Sequence, residues 1–168
     1  SRGLGDVYKR QIYNVSLFVE RALLSALNQT YDNIEYLIVD DKGQDDSMDI
    51  VHRIIKDHPR GKDVRIIEHP HNIGTDATKN TAIDNAQGEY LFFMDSDDEI
   101  IPTCIEILVH KMQEHPVDFI AASHMKKDLS GKTYPTYTYS PILIQGDDLP
   151  VAQYRYAQNN DIYVMSWN

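Results

Sequence analysis

The run Ile34-Glu35-Tyr36-Leu37-Ile38-Val39 is followed at once by Asp40-Asp41. It is short, apolar and rich in β-formers, which fits a strand buried on both faces. Upstream, Val15, Phe18, Val19, Ala22, Leu23, Ala26 and Leu27 recur at three-four spacing, so a helix is expected from Asn14 to about Gln29. Downstream, Asp45-Asp46-Ser47 offers capping oxygens to a helix carrying Met48, Ile50, Val51, Ile54 and Ile55, broken at His58-Pro59-Arg60-Gly61. Val64 to Ile67 reads as a second strand. After Pro70 and the loop Asn72-Ile73-Gly74, a helix is expected to about Ala86, stopped by Gln87-Gly88. Tyr90-Leu91-Phe92-Phe93-Met94 reads as a third strand ending in Asp95.

This alternation predicts an α/β fold, a mostly parallel sheet with helices on both faces joined by right-handed crossovers. Ligands of such sheets bind at the carboxyl ends of the strands, where the acids fall here. Pro102 fits the first turn of a further helix through Leu108 and Met112, and Val117 to Ala122 reads as a fourth strand. From Lys126 to Ser140 the chain is polar and rich in Tyr and Thr around Ser130-Gly131, which suggests an antiparallel hairpin, and the tail from Asp147 suggests a helix.

Composition narrows the function. A chain of 168 residues with 42% hydrophobic residues suits one domain with a packed core. No stretch reaches the roughly 18 consecutive apolar residues needed to span a bilayer. The single Cys104 rules out an internal disulfide and a cysteine zinc site, which suits a reducing, cytoplasmic setting. A formal charge of −10 argues against a nucleic-acid partner. It leaves room for a phosphate-bearing ligand, because a cation held by clustered acids inverts the local sign.

The acids cluster most sharply at Asp95-Ser96-Asp97-Asp98-Glu99, directly after the third apolar run. Carboxylates on a strand end suit Mg²⁺ or Mn²⁺ shared with substrate phosphates, while an ordinary acidic loop capping the next helix is the bland reading. Its place on the same edge as Asp40-Asp41 favours function. Gly74 with Lys79-Asn80, and Tyr13-Asn14 at a helix start, are each compatible with plain structural roles: an unusual backbone angle, a helix face, an N-cap.

In order, Ile12-Tyr13-Asn14, Leu24-Ser25-Ala26-Leu27-Asn28-Gln29-Thr30-Tyr31, Ile38-Val39-Asp40-Asp41, Asn72-Ile73-Gly74 with Lys79-Asn80, and Gly88-Glu89-Tyr90 leading to Asp95-Ser96-Asp97-Asp98 resemble family 2 of the inverting glycosyltransferases. The resemblance covers roughly residues 12 to 125. It implies a Rossmann-like nucleotide-sugar transferase fold and transfer of a sugar, with inversion, from a nucleotide-diphospho-sugar, a UDP-sugar by preference, to an acceptor hydroxyl. Tyr13, Asn14, Asp40 and Asp41 would hold the nucleoside, with Asp41 accepting a hydrogen bond from the base and Asp40 supporting its loop. Gly74, Lys79, Asp95 and Asp98 complete the implied nucleotide-sugar site. Asp97 and Asp95 are the implied ligands of Mn²⁺ or Mg²⁺.

The resemblance has departures. Lys42 stands before Gly43 where the family has a glycine-serine after the acidic pair, and Lys79 stands where it has an arginine. Ser1 to Gln11 lacks the apolar first strand expected before Tyr13 and reads as a non-native leader, leaving residues 12–168 as a partial domain: a nucleotide-sugar half, 12–125, and the start of an acceptor half, 126–168. That first strand is expected between the strands at Ile34 and Tyr90. The catalytic base is expected beyond Asn168, with His124 and Asp161 read as structural. The implied setting is cell-surface polysaccharide or glycan synthesis on a glycan or lipid-linked acceptor, in the cytoplasm at the inner face of the membrane, with peripheral association of the full-length protein. Two other readings are a phospho-accepting receiver domain, which also sets an acidic pair and a later aspartate at strand ends, and a non-catalytic nucleotide-sugar-binding module.

Overall fold

The computed structural model describes residues 15–115, 117–118, 120, 122–128 and 130–137. Expectations for Tyr13, Asn14, Asp161, the leader and the tail helix fall outside these residues. The chain divides into two units, residues 1–118 and 119–168.

In the first unit a 3₁₀ turn, Val15–Leu17, leads into helix α1, Val19–Leu27. Its stripe Val19, Ala22, Leu23 and Leu27 is buried, as the three-four spacing requires. Strand β1, Tyr36–Asp40, starts two residues later than the apolar run and takes in Asp40. Helix α2, Ser47–Asp57, is bounded by Asp46 and His58; the oxygen at its start comes from Asp45, whose Oδ1 accepts from Ser47 N at 3.2 Å. A 3₁₀ turn, Pro59–Asp63, delivers the chain to β2, Val64–Glu68, and then α3, Thr75–Asn85.

β1 and β2 pair in parallel with Ile38 opposite Ile66 and Asp40 opposite Glu68. Their carboxyl ends therefore share one edge. Val19, Leu23, Leu27, Tyr36, Val51 and Ile54 form the core, with Leu27 only 1% exposed. Burying each such aliphatic side chain contributes about 1.5–3 kcal/mol, so the α1, β1 and α2 contact is what holds this edge in place.

The expected third strand is not formed. Residues 90–94 carry no strand, and Tyr90, Leu91, Phe92 and Phe93 are 36–51% exposed. A strand exists only by pairing its backbone and covering its faces, and among the described residues nothing pairs with this run. Val117, Asp118, Ile120 and Ala122, the described members of the expected fourth strand, are likewise not in a strand.

Helix α4, Cys104–Glu114, follows Thr103. Pro102 therefore precedes the helix and does not occupy its first turn. The loop before α4 is tied to the end of α1: Gln29, 3% exposed, donates through Nε2 to Ser25 O and Ile101 O and accepts Ile105 N on Oε1. Thr30 N donates to Pro102 O at 2.8 Å, and Ile100 N donates to Ser25 Oγ. These bonds tie the exit of the Asp95–Glu99 loop to the end of α1.

In the second unit β3, His124–Lys127, and β4, Thr133–Tyr137, form the expected antiparallel hairpin, begun two residues early. Asp128 closes it by accepting from Ser130 N, Ser130 Oγ, Lys132 N and Tyr134 OH.

Candidate nucleotide-sugar site

Each acid of Asp40-Asp41 is differently engaged. Asp40 Oδ1 accepts Lys42 N at 2.8 Å and Oδ2 accepts Lys42 Nζ at 3.0 Å, while the same ammonium reaches Glu68 Oε2 at 2.6 Å. Parallel register sets Asp40 beside Glu68, so the Lys42 ammonium bridges two neighbouring strand-end carboxylates. The Glu68 and Asp40 hydrogen bonds push the Lys42 ammonium up from its ordinary range. They also hold Lys42 at φ 56°, a left-handed conformation costly for a side-chain-bearing residue.

Asp41 turns the other way, toward the loop before α3. Its Oδ1 accepts His69 Nδ1 at 2.8 Å and Ile73 N at 2.9 Å, and its Oδ2 accepts Gly74 N at 2.9 Å. Partial burial alone would raise the Asp41 carboxyl, but the bonds from His69, Ile73 and Gly74 and the charge of His69 hold it below its ordinary value. A carboxylate offers about four lone-pair sites; one on Oδ2 remains.

Gly74 has φ 95° and ψ 163°, and a Cβ there would meet no heavy atom within 4 Å. Backbone angle, and not crowding, is what calls for glycine at this position. Its carbonyl accepts Thr78 N and Thr78 Oγ1, starting α3. One turn on, Lys79 Nζ lies 3.9 Å from Asp95 Oδ1.

The acidic loop is a tight turn, with Asp98 N donating to Asp95 O at 3.1 Å, and Asp95, Asp97 and Asp98 are all exposed. Among the described residues no three acid, histidine or cysteine side chains converge to hold a metal ion. Exposed carboxylates on one turn nevertheless fit a hard cation that takes its remaining ligands from phosphate oxygens and water.

The model for Glycosyl transferase family 2 matches residues 11–162. The chain belongs to this family. Among relatives within it, an uncharacterized glycosyltransferase of Haemophilus influenzae is 31% identical over 145 residues, covering 83% of this chain and 57% of its own length. The UDP-Glc:alpha-D-GlcNAc-diphosphoundecaprenol beta-1,3-glucosyltransferase WfaP of Escherichia coli is 37% identical over 119 residues, covering 69% of this chain and 45% of WfaP. The crystal structure of Staphylococcus aureus TarS, residues 1–349, also solved with UDP, aligns at TM-score 0.56 and 23% identity over 73% of this chain and 35% of TarS. That likeness bears on the fold. The chain spans between about a third and just over half the length of these three chains.

Family 2 membership leaves the receiver-domain reading without support. The described residues bring together Asp41 with Gly74, and Lys79 with Asp95, from three segments: the end of β1, the start of α3 and the acidic turn. Asp40 pairs instead with Lys42, whose ammonium also holds Glu68. Sequence reasoning missed His69 and Thr81: His69 is buried, its Nε2 2.9 Å from Thr81 Oγ1. The only signal was a histidine at a strand end, which is common in proteins without function.

Proposed function

We propose that the chain binds a UDP-sugar across this edge and serves inverting transfer of the sugar to an acceptor hydroxyl in cell-surface polysaccharide or lipid-linked glycan synthesis. The observation that carries the reading is the approach of Lys79 to Asp95 beside the Asp41–Gly74 contact, in a family 2 chain. By the family resemblance Tyr13 and Asn14, outside the described residues, are assigned to the nucleoside, and the free lone pair of Asp41 accepts an N–H of the base. Asp40 supports that loop through Lys42. Gly74 opens the N-terminus of α3, whose amides and dipole favour an anion, and Lys79 adds a positive charge for the diphosphate. Asp95 and Asp98 take the ribose and phosphate side, and Asp97 with Asp95 holds Mn²⁺ or Mg²⁺. When bound, that cation stabilises the negative charge developing on the leaving diphosphate.

The names of relatives support the setting. WfaP and a Campylobacter jejuni GalNAc(5)-diNAcBac-PP-undecaprenol beta-1,3-glucosyltransferase, 30% identical over 102 residues, are both named for lipid-linked acceptors. No helix among the described residues is long and apolar enough to cross a membrane, and the proposed location is the cytoplasmic face. Incubation of the full-length protein with UDP-glucose and an undecaprenyl-diphosphate-linked sugar, with the anomeric configuration of the product read by NMR, tests the reading. A β-linked product supports it; donor binding without transfer favours a non-catalytic module, and a retained α-linkage contradicts inversion.

A further inference from the structure

The His69 ring is 8% exposed and lies between two partners on different elements. Nδ1 is 2.8 Å from Asp41 Oδ1, in the loop after β1, and Nε2 is 2.9 Å from Thr81 Oγ1, on α3. An ionised carboxylate can only accept, so the proton of this contact belongs to Nδ1. Thr81 Oγ1 gives its own proton to Ala77 O at 3.0 Å, which leaves it as acceptor for Nε2–H. The cationic ring satisfies every contact. The neutral ring, as the Nδ1–H tautomer, keeps both of its own contacts only when the Thr81 hydroxyl turns from Ala77 O toward Nε2. Asp41 is the charged group facing the ring; the neighbouring Asp40, Lys42 and Glu68 are paired among themselves.

The consequence reaches the loop before α3. Asp41 also accepts Ile73 N and Gly74 N, so whatever fixes its carboxylate fixes those amides. We infer that His69 is a positioning residue: anchored to α3 through Thr81, it aims the Asp41 carboxylate at the Ile73–Gly74 turn and so preorganises the donor-binding edge. The effect on donor affinity rests on the functional reading above; the latch itself does not. Its partners are 28 and 12 residues away, so no local segment substitutes for it.

Three readouts test this in the full-length protein. First, ¹⁵N NMR of the native protein shows the His69 proton on Nδ1 in both charge states; a neutral ring protonated on Nε2 alone overturns the proposal, whether or not any variant folds. Second, His69→Leu raises the exchange rates of the Ile73 and Gly74 amides at least about tenfold, while His69→Asn, which retains an N–H near Nδ1, stays within a few-fold of native. Unchanged exchange in a folded His69→Leu protein overturns it. Third, UDP titration in Mn²⁺ shows about a tenfold loss of affinity in His69→Leu and recovery in His69→Asn. Equal affinity of His69→Leu and native protein overturns the link to the donor site. A native protein that fails to bind UDP yet shows the expected tautomer and exchange supports the latch and contradicts the UDP-sugar reading instead.

Discussion

Lys79 Nζ lies 3.9 Å from Asp95 Oδ1, so helix α3 faces the acidic turn with its one charge of opposite sign to that turn. Lys79 is 32% and Asp95 65% exposed, and an ion pair so open to water contributes only about 0–1 kcal/mol to stability. Its place at a phosphate site gives it another use. Lys79→Ala is therefore expected to leave the melting temperature nearly unchanged while weakening UDP binding about tenfold, the scale of one charge-assisted hydrogen bond. A variant that loses stability but not affinity would make Lys79 a structural cation only.

Asp41 links stability to pH. An unfolded aspartate titrates near about 3.9, and the folded carboxyl is held lower because His69, Ile73 N and Gly74 N favour its charged form. The unfolded chain thus takes up protons first as pH falls. The stabilisation is complete above the unfolded value and is lost as pH drops through the folded one. The gap in melting temperature between the native chain and Asp41→Asn is expected to be widest near neutrality and to narrow toward pH 3. A gap that stays constant would mean that the Asp41 charge does not matter.

Core and edge aromatics should differ in cost. Leu27 is 1% exposed within the α1 cluster, and Leu27→Ala is expected to cost about 2–5 kcal/mol. Phe92 is 47% exposed and its segment is unpaired, so Phe92→Ala should fall well short of the about 3–5 kcal/mol of a core phenylalanine. Urea unfolding of both variants measures the difference. A Phe92→Ala loss equal to that of Leu27→Ala would show that residues 90–94 are packed as a strand.

The contrast between β1 and residues 90–94 shows what sequence could convey. Ile34 to Asp41 was legible because the run, the acids after it and the helices beside it are local patterns, and helix α2, whose Val51 joins Tyr36 in the core, follows directly. Tyr90 to Met94 has an equally apolar pattern, but forming a strand requires a partner elsewhere in the chain. Pattern records the capacity to pair and not the pairing. Asp41 and Gly74 were legible as a strand-end acid and a helix-start glycine. Their direct bond was not, nor was His69 between Asp41 and Thr81, because a lone histidine carries no sign of partners 28 and 12 residues away. Lys42 showed the reverse: its departure from the family's glycine was visible, while its bridge from Asp40 to Glu68 needed the parallel register.

A nucleotide diphosphate would be held at the Asp95–Asp98 turn through a cation carried by Asp97 and Asp95, and calorimetric titration with UDP measures this most directly. Two anionic groups at this edge repel without a counter-charge. Binding is expected in Mn²⁺ or Mg²⁺, with its loss in chelator and a weakened metal-dependent part in Asp97→Asn. Undiminished UDP affinity in chelator would contradict it.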